Sequence, residues 1–96
     1  MKYGGCVYIM TNHSMSVLYI GVTSNLYARV SEHKEKKYPE SFTARYNCNK
    51  LLYYESFSRI EEAIAREKQM KKWNRAWKWN LINQFNPLQV DLFETL

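Results

Sequence analysis

The chain has 96 residues, 46% hydrophobic and 24% charged, with only three Gly and two Pro. This fits one folded domain over residues 1–96 and excludes a disordered, collagen-like or low-complexity chain. No apolar run approaches the roughly 18 residues of a membrane span. The segment Met1-Lys2-Tyr3-Gly4-Gly5 opens no signal-peptide pattern, so a cytoplasmic protein without a membrane partner is expected. Fourteen basic against nine acidic side chains leave a net charge of +5, which points to an anionic partner, usually nucleic acid.

Residues 5–10 read as a strand with Cys6, Tyr8 and Met10 on one face and Val7 and Ile9 on the other. A polar turn leads to a second strand over 17–21, with Val17 and Tyr19 sharing a face, so the two form a hairpin. Ser24 or Asn25 caps a helix running to about Lys37, where Tyr38-Pro39 ends it. Leu26 and Val30 mark its apolar stripe, and Arg29 and His33 fall on that same stripe. A short helical turn over 41–46 precedes an aromatic-rich strand over 50–57. Ser58-Arg59-Ile60-Glu61 reads as a capping box opening a helix to about Lys72. Asn74 caps a further helix from Arg75 to about Phe85, closed by Asn86-Pro87.

Several residues break these patterns. Glu67 shares a helix stripe with Ile60, Ala63 and Ile64, where a carboxylate is costly unless paired or metal-bound. From periodicity alone, an ordinary i,i+4 pair with Lys71 is the favoured reading over a metal. Arg29 either snorkels to water or grips a phosphate, and His33 either fills the core or moves a proton. Tyr8 and Tyr19, in mid-strand, read first as packing. From Arg66 to Lys78 the chain carries six basic residues and one acid, interleaved with Trp73, Trp77 and Trp79. Trp73 and Trp77, one helical turn apart by spacing, either stack on bases or complete the core. Cys6, Cys48, His13 and His33 supply four candidate zinc ligands, but none forms a CxxC or HxxxH pair, and buried thiols are the better reading.

Together these residues resemble the GIY-YIG nuclease family. Val7-Tyr8 matches the end of its first motif and Leu18-Tyr19-Ile20-Gly21 its second; Thr23, Asn25, Leu26, Arg29 and His33 follow at similar positions. The run from Glu62 to Trp73 is similar to the family's helix with its lone metal-binding glutamate, and Leu81-Ile82 with Asn86-Pro87 to the end of the domain. Phe42-Thr43, Tyr46 and the strand from Leu51 to Glu55 look like the short stand-alone bacterial members, relatives of the catalytic domain of the excision-repair endonuclease UvrC. Cys6 stands at the first motif's glycine position, and Val22 where the excision-repair relatives carry a lysine that could acidify a tyrosine.

The resemblance implies an α/β (α+β) fold, a small three-stranded antiparallel sheet flanked by helices. It implies a metal-dependent endonuclease that hydrolyses DNA phosphodiester bonds, structure-selective cutting in repair or processing being the natural analogy. Glu67 would hold a single Mg²⁺ or Mn²⁺, a hard cation for which one carboxylate suffices. Arg29 would contact the scissile phosphate with its fork of donors. Tyr8 or Tyr19 would act on the attacking water, its pKa lowered by Arg29 and metal, with His33 taking or relaying the proton. Asn86 would support the site. The basic face of Lys68, Lys71, Lys72, Arg75 and Lys78 would bind DNA, RNA being left open, with salt-sensitive and sequence-independent affinity. The alternatives are a nucleic-acid-binding module with little cleavage of its own, or a subunit whose protein partner supplies specificity and activation.

Overall fold

The computed structural model describes residues 4–96; Met1 to Tyr3, where the targeting-signal reading begins, lie outside the described residues. Strand β1 (Gly5–Thr11) is the middle of a three-stranded antiparallel sheet, between β2 (Leu18–Thr23) and β3 (Lys50–Phe57). Helices α1 (Leu26–Glu35) and α2 (Phe42–Arg45) separate β2 from β3 in the chain, and α3 (Ile60–Lys71) and α4 (Arg75–Phe85) follow β3. A 3₁₀ turn (Leu92–Thr95) ends the chain. This is the α+β architecture expected from the sequence.

Every residue of β1 is buried, because both sheet faces are covered. On one face Cys6, Tyr8 and Met10 pack with Leu26 and Val30 of α1, Cys48 and Leu51. On the other, Val7 and Ile9 pack with Ile20, Leu52, Met70 of α3 and Ile82 of α4. The alternation read along β1 is therefore real, with period two dividing its side chains between two layers. A register shift between Ile9 and Met10 inserts an extra residue in β3, so consecutive Leu52 and Tyr53 both join the Val7 layer. A Cβ on Gly5 would lie 2.8 Å from the Cα of Ile60, so only glycine lets the start of α3 pack this closely on β1.

Two helix boundaries differ from those expected. Helix α1 stops at Glu35 because Lys36 turns left-handed (φ 54°), and the Lys37 amide donates back to the Glu32 carbonyl. The start of α3 is capped one residue later than read: Arg59 is the N-cap, and Glu62 accepts from its amide and from the Ser58 hydroxyl. Trp73 and Trp77 do not share a helix. The break between Lys71 and Arg75 sets their rings edge to face at 6.1 Å, and Trp73 and Trp79 pack on the core while Trp77 stays 57% exposed. Among the described residues, no helix is long and apolar enough to cross a membrane.

Asn86 closes α4 and ties it to the sheet. Its buried amide donates to the carbonyls of Leu52 (3.2 Å) and Val90 (2.8 Å), and its oxygen accepts from the Val90 amide. Asn86→Ala leaves these groups unmatched, and unmatched buried groups cost about 1–3 kcal/mol each. We predict a fall of roughly 2–3 kcal/mol in unfolding free energy, read as a lower denaturant midpoint at unchanged slope.

Candidate active site

The site begins at Tyr8, in the middle of the central strand. Its cross-strand partner is Gly21, and a Cβ there would stand 2.5 Å from both the Tyr8 ring and its hydroxyl. The absent side chain is what allows the ring to lie across β2. The Tyr8 hydroxyl reaches Nε2 of His33 at 2.8 Å. On the other side of that ring, His33 Nδ1 lies 2.7 Å from the Thr43 hydroxyl, which is 3.2 Å from the Ser41 hydroxyl.

Local structure fixes each member of this chain. Asn25 caps α1 by accepting from the Ala28 amide, which sets the helix phase that turns Leu26, Val30 and His33 inward. Ser41 caps the four-residue α2 in the same way, placing Thr43 inside and Phe42 half outside. Thr43 and Ser41 were given no role in the sequence reading. Their signal is a serine cap followed by a threonine in the inward position of a predicted helical turn.

Burial, and secondarily the charge of Arg29, push the His33 pKa down to about 4. The imidazole is therefore neutral at neutral pH, with one nitrogen free to accept. Burial also pushes the Tyr8 hydroxyl up, and neighbouring Tyr19 adds to that. The expected lowering of a tyrosine by Arg29 and metal is met here in the direction of the Arg29 effect alone. Arg29 does act downward on Tyr8, but among the protein's own groups desolvation outweighs it. A protonated Tyr8 donating to Nε2, with Nδ1–H donating to Thr43, satisfies the whole chain.

Tyr19 sits beside this pair, its ring centroid 6.2 Å from Tyr8 and 5.6 Å from His33. Phe42 stacks on its far side at 5.8 Å. Arg29 is neither fully exposed nor simply snorkelling: it pairs with Glu32 at 3.1 Å, lies 5.6 Å from the Tyr38 ring and faces Tyr8. Thus Tyr8, Tyr19, Arg29 and His33 come together. Glu67 belongs to α3, which packs on the opposite sheet face. Its side chain is 16% exposed and pairs with Lys71 at 3.3 Å, the i,i+4 contact anticipated from spacing. Lys71 in turn shares a groove with Tyr19, Phe42 and Lys78.

The basic residues divide by use. Arg66 pairs with Glu55 and lies over Trp73, and Arg75 donates to the carbonyls of Met15 and Ser16. Lys68 and Lys72 are exposed, while Lys71 and Lys78 line the groove. Asn86 makes its bonds to Leu52 and Val90, as described above, so it supports the fold. Cys6 and Cys48 are buried free thiols, and His13 is exposed in the β1–β2 turn. Among the described residues, no three His, Cys, Asp or Glu side chains cluster as a metal site. The lone, partly buried Glu67 fits a hard cation that retains most of its waters, and does not fit zinc.

An imidazole depressed in the folded chain takes its proton more readily once unfolded. Its contribution to stability is therefore complete above about 6.5 and lost as pH falls towards about 4. We predict that stability drops by about 2 kcal/mol more between pH 7 and pH 5 in the natural protein than in His33→Gln, measured by denaturant titration at both pH values.

The GIY-YIG catalytic domain matches residues 4–83. A UPF0213 protein of Syntrophus aciditrophicus (strain SB) is 38% identical over 81 residues, covering 84% of this chain and 91% of the relative. No solved structure matches the chain significantly. With most of its length inside that one domain, the chain belongs to the GIY-YIG family, whose catalytic domain implies nuclease chemistry on a nucleic-acid substrate.

Proposed function

We propose that the protein is a divalent-metal-dependent endonuclease that hydrolyses DNA phosphodiester bonds, with Tyr8 and His33 acting as one proton-accepting unit. The observation that supports this best is the 2.8 Å contact between the Tyr8 hydroxyl and a histidine kept neutral by burial. GIY-YIG nucleases generally use a divalent metal. Glu67 is the residue to hold it, and Mg²⁺ or Mn²⁺ bound there would supply charge stabilisation for the leaving oxygen.

The remaining steps belong to the chain's own groups. Arg29 grips the nonbridging phosphate oxygens and leaves Glu32 to do so. Tyr19 orients the attacking water. As the water oxygen bonds to phosphorus and the P–O bond to the leaving oxygen breaks, the water proton passes to Tyr8 oxygen and the Tyr8 proton to His33 Nε2. Tyr8 then never has to exist as a free tyrosinate, the form its burial disfavours. Thr43 holds the imidazole in the tautomer that can accept. Lys68, Lys71, Lys72 and Lys78 supply backbone affinity without sequence preference, and Arg75 adds its charge to that face.

One observation favours a second reading, a nucleic-acid-binding module or partner-activated subunit: Lys71 already neutralises Glu67. A cleavage panel of supercoiled, nicked, flapped and branched DNA with Mg²⁺ or Mn²⁺ separates the two. We predict metal-dependent cutting that is lost in Glu67→Ala and falls roughly 10²–10⁴-fold in Tyr8→Phe and His33→Ala. Cutting unaffected by Tyr8→Phe would transfer the proton-accepting role to Tyr19. Binding without cutting, unchanged in Glu67→Ala, would establish the second reading.

A further inference from the structure

Strand β2 is an edge of the sheet, and its outer rim forms one wall of a groove of about 250 Å³. The groove is lined by Leu18, Tyr19, Ile20, Phe42, Lys71 and Lys78. Residues from both faces of β2 contribute, so it runs along the strand's open edge. Three features give it a chemical character. Its lining includes Leu18 and Ile20 of β2, Lys71 of α3 with Lys78 of α4, and Phe42, which is 45% exposed. Phe42 continues an aromatic ladder that starts inside the site, stacking on Tyr19 at 5.8 Å (interplanar angle 28°) and meeting Tyr46 at 4.6 Å. Tyr46 is exposed as well.

We infer, on the nuclease reading proposed above, that Phe42 is a base-stacking residue and that this groove takes one unpaired nucleobase of the substrate strand beside the phosphate to be cut. An exposed aromatic face next to lysines is the arrangement that holds single-stranded nucleic acid, the ring stacking on the base and the ammonium groups meeting the backbone. The groove is small, below the roughly 300–1,000 Å³ of pockets that enclose drug-sized ligands. In a duplex the base faces are already stacked, so Phe42 has a partner only where a flap, gap, branch or loop leaves one free. Lys71 links the groove to the proposed metal position, since it lines the one and pairs with Glu67 at 3.3 Å. Selectivity for unpaired nucleotides then comes from Phe42, at the start of α2.

The test uses the full chain without divalent metal, so that binding is read apart from cutting. The probes are a labelled single strand with a central 2-aminopurine, a flapped duplex with 2-aminopurine in the flap, and a fully paired duplex. The expected result is tighter binding of the two unpaired probes, with quenching of 2-aminopurine. Phe42→Leu, which keeps the apolar cover over Tyr19, is expected to weaken those two about tenfold, abolish the quenching and leave the duplex unchanged. Phe42→Tyr is expected to restore both. Equal quenching in the natural protein and Phe42→Leu, or equal weakening of all three probes, overturns the stacking role while leaving the nuclease reading intact. Failure to bind any probe, with no cutting when metal is added, overturns the nuclease reading and this inference with it.

Discussion

A tyrosine ring buried in the central strand carries its hydroxyl in with it, and a buried hydroxyl without a partner costs roughly 1–3 kcal/mol. Much of this chain can be understood as the solution to that constraint at Tyr8. Gly21 removes the side chain that would occupy the ring's place, and His33 supplies the acceptor. His33 is then a buried polar group in its own right, and Thr43 meets its second nitrogen. Each partner needs a specific piece of backbone: a glycine in β2, a capped α1 and a four-residue α2. The result is a fully paired polar chain inside a hydrophobic layer, the kind that rigidifies its surroundings.

The same burial decides the chemistry. Low polarity around Tyr8 and His33 opposes charge on either, raising one pKa and lowering the other. The two shifts widen the gap between donor and acceptor, so a stepwise transfer that leaves a tyrosinate is disfavoured at neutral pH. A transfer in which Tyr8 gains one proton as it loses another avoids that charge. Arg29 fits the same account. Its charge depresses His33 in the resting protein, and a phosphate bound against the guanidinium would cancel that effect as the proton arrives.

What was legible in the sequence is what depends on local spacing. The two faces of β1, the inward stripe of Leu26, Val30 and His33, and the Glu67–Lys71 contact all follow from a period of 2 or 3.6, and the structure shows each of them. What was not legible depends on depth or on distant partners. The direction of the Tyr8 shift is set by how much protein covers β1, which no window of residues encodes. Thr43 looks like any threonine of a predicted helical turn until α2 docks against α1. The left-handed Lys36 ends α1 before Tyr38-Pro39 can act, and lysine carries no special preference for that conformation.

The candidate site is divided by the sheet, and this division explains why its signal is so dispersed along the chain. Tyr8, Tyr19, Arg29 and His33 lie on the α1 side, whereas Glu67 stands on α3 across the sheet. A continuous sheet would keep the two sets apart. Here β2 is the last strand, its neighbour at Tyr8 is a glycine, and the groove along its rim is walled by Tyr19 and Phe42 on one side and Lys71 and Lys78 on the other. An edge strand is ordinarily a liability because its open backbone invites unwanted pairing. In this fold β2 is short, and the lysines at its rim add charge that opposes pairing with another strand while favouring a polyanion. On the proposed nuclease reading, the edge that the sheet leaves open is the place where groups from both faces meet one strand of nucleic acid.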